Sequence, residues 1–462
     1  MLCLLLCLFL FVGLVGEPPV EFDTQLYNGL WRSPLDVLGP LLVPVPGIGL
    51  WPWQIMLFAL APLGLRGFGA RGRRSSVLDA AILVSLASVA AGVAWGLLNG
   101  GALHQAYYQL WRFLAALLVA IVLVPAIRTS RDLRLLCLTI IAAALVRSVL
   151  CIWFYWVEVH GKIVPTPPHM TTHDDSLLFA ASLLLMASWG VVRGRFLSWM
   201  PAVLAGPVVL YAMVLNNRRL VWIELALACA VIYVLLPRGA LRRRVNVVLP
   251  ILAPLLLAYV LIGAGREGPV FAPARALTSA GSNENASSLA RQEEIRNLLH
   301  TLILKGNPLL GTGWGVPYEK RTSVYANFES KWELFLYTPH NSLLGVAVFN
   351  GLAGIGGLWG VVPVAALLAT RGYRAGTGPV ARAAALGAVS ILPAYSVQCF
   401  GDIGLQSLTC GLILGMVMAV AGRVGAWAES PPDARRGVAS RGREVHAAGV
   451  AGEGPMARRA SA

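Results

Sequence analysis

The chain has 462 residues, of which 57% are hydrophobic and only 13% charged, with a formal charge of +15 and a mean hydropathy of +0.69. A soluble domain carries about 25% charged residues, so this composition excludes a water-soluble globular fold and predicts an all-α integral membrane protein. The positive charge would suit nucleic acid, but its placement along the chain argues against that partner, as shown below. The 48 glycines and 28 prolines are compatible with membrane helices, where neighbouring helices satisfy freed backbone groups. The seven cysteines fall in or at the ends of apolar segments and read as small buried hydrophobes, not as a disulfide framework or a zinc site.

A helix needs about 20 apolar residues to cross the hydrocarbon. The first candidate, "MLCLLLCLFLFVGLVG" at 1–16, lacks the positive leading segment of a signal peptide and reads as an uncleaved helix. "LLVPVPGIGL" at 41–50 is a candidate re-entrant or interfacial piece before the second span at 48–65. Further spans are expected at 77–98, 108–127, 133–157, 176–192, 197–215, 219–236, 246–264, 340–369, 381–399 and 403–423, about twelve in all.

Arginine placement sets the orientation. Alternate connections read "RGFGARGRR", "RTSRDLR", "RGR", "PRGALRRR" and "RGYRAGTGPVAR", followed by a basic tail. The intervening connections hold almost no Lys or Arg beyond Arg32 and Lys162. By the positive-inside rule the arginine-rich set and both termini are cytoplasmic, so the net charge is mainly a topological signal, with some affinity for anionic membrane lipids and none required for nucleic acid. The expected organisation is 1–264 for helices one to nine, a long extracytoplasmic loop at 265–339, helices ten to twelve at 340–423 and a disordered basic tail at 424–462. Within the loop, Ile295, Leu298, Leu299 and Leu302 form an apolar stripe at helical spacing, and Gly306-Asn307-Pro308 is expected to stop that helix.

Several polar groups break these patterns. "LNNRRLVWIE" places Arg218 and Arg219 at the outer end of a span, where they either snorkel to head groups or are held outward for an anion. Two adjacent guanidinium forks suit a diphosphate. Glu224 lies deeper in the same helix, and Arg147 is in the outer half of another; an ionisable group at mid-membrane costs about 2.5–3.5 kcal/mol on insertion scales and needs a partner or a wet cavity. Arg147 either joins the arginine pair as a substrate ligand or neutralises Glu224. His104, His160, His169, His173, His300 and His340 are all expected outside, with His446 in the tail. "PPHMTTHDD" invites a metal reading through His169, His173, Asp174 and Asp175, but Pro167-Pro168 favours a solvated loop or an acceptor-binding edge, and no metal is assigned. "GTGWG" at 311–315 faces outward, where nucleotides are absent, and is expected as a tight turn near a ligand or the membrane surface.

In combination, "NNRRLVW" at a span start, "ARQEEIRN…NPLLGTGWG" in a long outer loop and "PHNSLL" opening the next helix resemble the O-antigen ligase and polymerase superfamily. The likeness covers roughly residues 175–400 in motifs and the whole chain in topology. It implies an all-helical, GT-C-like glycosyltransferase of the bacterial cytoplasmic membrane, using an undecaprenyl-diphosphate-linked glycan donor with neither nucleotide sugar, metal nor other cofactor. Placed on this sequence, the family's catalytic arginine near a span end falls on Arg219, with Arg218 beside it as a substrate ligand. Its loop arginine falls on Arg291, with Arg296 the less apt choice, and its histidine falls on His340. Asn341 would orient the imidazole or bind sugar. The acceptor would be lipid A-core for a ligase or a lipid-linked glycan for a polymerase; a protein-glycosylating relative, and outside the enzyme class a polysaccharide transporter or lipid flippase, or a non-catalytic scaffold, are the competing readings.

Overall fold

The structure is a computed structural model that describes residues 1–16, 41–42, 49–50, 52–66, 75–162, 169–266, 269–278, 286–321, 336–376 and 378–429. Arg32, Pro167-Pro168, His446 and the tail from 430 onward lie outside the described residues. Nine helices among the described residues are long and apolar enough to cross a membrane, and Leu2–Val15, Gln54–Leu65 and Leu220–Leu235 are shorter apolar helices. Together they make the polytopic helical bundle that the composition demands.

In chain order the helices are α1 (Leu2–Val15), α2 (Pro52–Leu65), α3 (Ser76–Leu98), α4 (Leu103–Ala126), α5 (Ser130–Phe154), α6 (Asp174–Arg193), α7 (Met200–Asn216), α8 (Leu220–Leu235), α9 (Ala240–Gly263), α10 (Ala272–Thr278), α11 (Ala286–Leu304), α12 (Ser342–Ala353), α13 (Val361–Arg374), α14 (Pro379–Gly401) and α15 (Leu408–Glu429). Leu41–Leu42 pairs antiparallel with Gly49–Leu50 just before α2, in place of a re-entrant helix. The start of α5 shows how sequence sets a boundary: Thr129 and Asp132 cap each other's backbone N–H groups, so "RTSRD" opens the helix as a capping box.

The core is built on α15, packed against α4 and α13, and on α14, packed against α6 and α8. Close approach depends on small residues: a Cβ on Gly411 or Gly415 would meet the Arg112 or Ala116 carbonyl oxygen at 2.7 Å. The last helix runs on through Val424, Gly425, Ala426 and Trp427, all buried, to Glu429. The expected tail boundary at 424 is therefore too early, because apolar packing continues for another turn and a half. Conversely, α9 has no buried residue in its apolar window and presents its surface to lipid.

The expected single helix at 340–369 is broken. Gly351 has φ +54° and ψ −147°, and α12 passes through a π-helical turn at Gly354–Leu358 before α13 begins. The break would strand backbone groups in an apolar bundle, at several kcal/mol each. The segment after α11 answers them: Thr312 and Gly313 N–H donate to the Val348 and Phe349 carbonyls, while Leu352 and Ala353 N–H donate to Pro308 and Leu309. "GTGWG" makes the expected tight turns, with positive φ at Gly311, Gly313 and Gly315, and is wedged between α3 and the broken helix. Trp314 N–H donates to Gly92, Trp95 donates its indole N–H to the Gly311 carbonyl at 3.1 Å, and Gly315 N–H donates to Gln109 at 2.6 Å.

Gly313 has φ +93° and a Cβ there would meet Gly96 Cα at 2.1 Å, whereas Gly100 has a similar φ of +83° and nothing within 4 Å. Gly313→Ala is expected to lower stability by about 2–5 kcal/mol through strain plus overpacking, and Gly100→Ala by only about 1–2 kcal/mol through strain alone. The two apparent melting points in detergent check this; equal losses would dismiss the wedge.

Candidate functional site

The connections at 99–102, 169–173 and 217–219, the long loop, and 402–407 gather at one end of the bundle, linked by side-chain and backbone hydrogen bonds. At their centre is Asp402, 4% exposed, in the short link between α14 and α15. The His173 imidazole Nδ1 lies 2.5 Å from Asp402 Oδ2. Arg291 Nη2 approaches the same oxygen at 3.6 Å, and its side chain remains 40% exposed. Burial alone would raise the Asp402 carboxyl, yet His173, Arg291 and His340 outweigh it and hold it well below the ordinary carboxylate range.

His340 is the last residue but one before α12. Its Nδ1 is 2.8 Å from Glu294 Oε2 on α11, and the other oxygen of Glu294 accepts the Asn341 backbone N–H at 3.2 Å. Glu294 is 5% exposed, so its two lone-pair directions are spent fixing the ring and the helix start. With Nδ1–H given to the carboxylate, His340 Nε2 is the nitrogen with a lone pair to offer. Asn341 is 6% exposed and its side-chain oxygen caps α12 by accepting the Leu344 N–H at 2.9 Å.

The two arginines of the doublet part company. Asn217 is left-handed, with φ +49°, and ends α7 so that the chain re-enters the bundle as α8. Arg218 turns inward, is 7% exposed, and donates to His173 Nε2 at 3.1 Å and the Thr171 carbonyl at 3.3 Å. It is therefore part of the scaffold beneath the site and not an open ligand. Arg219, half-buried, faces Arg291; partial burial, reinforced by that second cation, pulls its guanidinium below the ordinary value.

Two further expected ligands lie elsewhere. Arg147, 1% exposed, is clamped to Asp175 in a fork, Nε to Oδ1 at 2.9 Å and Nη2 to Oδ2 at 2.7 Å. Its counter-ion is Asp175 on α6 and not Glu224, and no surface is left for substrate. Arg296 points to the exposed side of α11, because that helix turns Glu294, Asn297, Leu298 and Thr301 inward. The expected stripe of Ile295, Leu298, Leu299 and Leu302 is thus only partly the buried face; Leu299 and Ile303 are 42% and 75% exposed. Asn297 and Thr301 instead accept the backbone N–H groups of Arg321 and Glu319.

The 169–173 segment is packed, not solvated. His169 Nδ1 lies 3.2 Å from the Asn216 carbonyl, and the Asn216 side chain accepts the Thr171 N–H at 3.0 Å. Among the described residues no group of three or more His, Cys, Asp and Glu side chains is arranged to hold a metal ion.

Around Asp402 the structure gathers Arg291, His340 and His173, with Glu294 behind His340 and Arg219 within reach of the Arg291 charge. Asp402 carried a usable signal, being a lone acid between two apolar spans. Glu294 carried one only by its i+3 spacing from Arg291 on a helix whose inward face was misjudged. A family model described as O-antigen ligase matches residues 204–358, from within α7 through the π-helical turn after α12, and supports membership of the O-antigen ligase superfamily. No curated protein matches the chain.

The buried fork gives a stability test. Arg147→Met or Asp175→Leu alone strands a charge and should cost about 3–5 kcal/mol, whereas the double substitution should return most of it. A detergent melting series checks this; additive losses would mean that the two side chains do not act as a pair.

Proposed function

We propose that this member of the O-antigen ligase superfamily transfers a glycan from an undecaprenyl-diphosphate donor to an acceptor hydroxyl at the outer face of the bacterial cytoplasmic membrane. The observation that supports this reading is that Arg291 and His340 act on Asp402 while Arg219 lies within reach of the Arg291 charge, although these residues come from α11, the start of α12 and the start of α8. With the arginine-rich connections cytoplasmic, that end of the bundle is extracytoplasmic, at the depth where a lipid-anchored diphosphate lies.

In this mechanism the acceptor oxygen attacks the anomeric carbon as its proton passes to His340 Nε2. The bond from that carbon to the diphosphate oxygen breaks, and its electron pair stays on the diphosphate. Arg219 and Arg291 stabilise the charge that gathers there, the role that preorganised positive groups fill in phosphoryl-linked leaving groups. Glu294 stabilises the imidazolium as it forms and keeps the ring in register. Partial burial and the nearness of a second cation lower the proton affinity of Arg219, and an anionic ligand would relieve that repulsion.

A ligase presents lipid A-core as acceptor and a polymerase presents another lipid-linked glycan; both require the same leaving-group chemistry. Transport fits less well, since Arg147 and Glu224, two ionisable groups inside spans, are only 1% and 0% exposed.

Purified protein with a defined undecaprenyl-diphosphate-linked donor and each acceptor in turn tests the reading. His340→Ala should lower kcat by about 10²–10⁴-fold with membrane insertion retained. Arg219→Ala and Arg291→Ala should each lower kcat/KM for donor by about 10²-fold or more. Wild-type turnover by the His340 variant would remove the base, and normal donor use by both arginine variants would remove the diphosphate clamp. Glu294→Gln, which keeps a hydrogen-bond acceptor but drops the charge, should lower kcat by about tenfold or more with donor KM little changed; an equal rise in KM would instead place Glu294 in donor binding.

A further inference from the structure

We propose that His173 is a positioning residue for donor capture: a neutral imidazole that ties Arg218 to Asp402 and thereby leaves Arg291 available to the diphosphate. The inference rests on the transferase reading above and deepens it.

Hydrogen-bond direction fixes the state of the ring. An arginine side chain can only donate. Arg218 Nη1 is 3.1 Å from His173 Nε2, so Nε2 is the acceptor and carries no proton. The proton is then on Nδ1, which faces Asp402 Oδ2 at 2.5 Å. Imidazole in this tautomer joins a donor on one side to an acceptor on the other, which neither a cation nor the opposite tautomer does.

The ring is held from behind as well as in front. Its segment is tied to the end of α7 through Asn216, as described above, and the His173 backbone carbonyl accepts from Gln398 Nε2 on α14 at 3.5 Å. Thus α6, α7 and α14 together determine where Nδ1 points.

The consequence falls on Arg291. Asp402 Oδ2 is shared unequally, with the short contact to His173 and the 3.6 Å contact to Arg291. A buried carboxylate relieved by one close donor makes a weaker claim on the second cation. Without the imidazole, Arg291 would be the nearest group able to satisfy Asp402 and would close on it as a tight ion pair. An incoming diphosphate would then have to displace a carboxylate before gaining the same guanidinium. Loss of His173 should therefore weaken donor binding while leaving His340, Glu294 and the chemical step in place.

The test uses full-length protein in detergent with an undecaprenyl-diphosphate-linked glycan donor and a defined acceptor. His173→Ala should raise donor KM about tenfold with kcat changed less than about threefold. His173→Gln, whose amide can donate to Asp402 and accept from Arg218, should stay within about threefold of wild type in both constants. An unchanged donor KM in His173→Ala, or a His173→Gln variant as impaired as His173→Ala, would overturn the inference. Should His173→Ala fail to insert, nitrogen NMR of histidine-labelled protein decides on its own: a neutral imidazole protonated at Nδ1, absent from His173→Gln, is expected, and protonation at Nε2 would overturn the assignment. Wild-type protein inactive with every donor and acceptor would sink the transferase reading instead, while the NMR result would still judge the bridge.

Discussion

Asp402 is a carboxylate at the rim of an apolar bundle, nearly closed off from solvent, and an unpaired charge there would cost several kcal/mol. Its charge is met by a hydrogen bond from His173 ahead of α6 and by the positive fields of Arg291 on α11 and His340 ahead of α12. These segments are far apart along the chain, so a single buried negative charge requires that three connections close over the same point. The basic groups of the site are thereby collected by electrostatics, while helix packing sets only their depth. Arg219 is the exception, since it faces another cation and partial burial works against it.

The wedge after α11 connects this framework to the bundle. It borrows the backbone groups released at Gly351 and is pressed on α3 through Gly92 and Gly96. Gln109 on α4 receives Gly315 N–H and donates to the Tyr337 carbonyl at 2.8 Å, three residues before His340. The position of the imidazole is thus fixed from both sides, by Glu294 on α11 and by the strand of chain that Gln109 holds. A broken helix, costly in lipid, becomes the socket in which an extramembrane loop is seated.

Much of this was legible in the sequence because apolar length and arginine bias are strong, local signals. Apolar helices lie at most of the places where hydropathy put them, apart from the break in 340–369 and the longer last helix, and Arg291 and His340 both act on Asp402. What was illegible is pairwise and long-range. Arg147 looked like a site group because an arginine in a span demands an anion, but nothing local identified Asp175, 28 residues on, as that anion. Arg218 and Arg219 are adjacent letters, yet after the left-handed Asn217 one is buried in the scaffold and the other lies within reach of the Arg291 charge. On α11 the hydrophobic period misled, because the helix lies at an interface: its inward face must answer polar backbone and His340, while leucines and an isoleucine can face lipid head groups at little cost.

The parting of the doublet also decides how a diphosphate would be met. Two neighbouring arginines on one face would compete for the same oxygens. On the transferase reading the grip would be divided between Arg219, at the start of α8, and Arg291, on an extramembrane helix. The first sits with the membrane helices that receive a lipid-anchored group. The second belongs to the loop that also supplies Glu294, and through it orients His340. Because Arg291 and Glu294 are one helical turn apart on α11, any displacement of that helix moves the leaving-group clamp and the base's carboxylate together. On the transferase reading, charge stabilisation and proton removal would therefore be mechanically coupled through α11, and a site that brings this helix to its donor would assemble both functions at once.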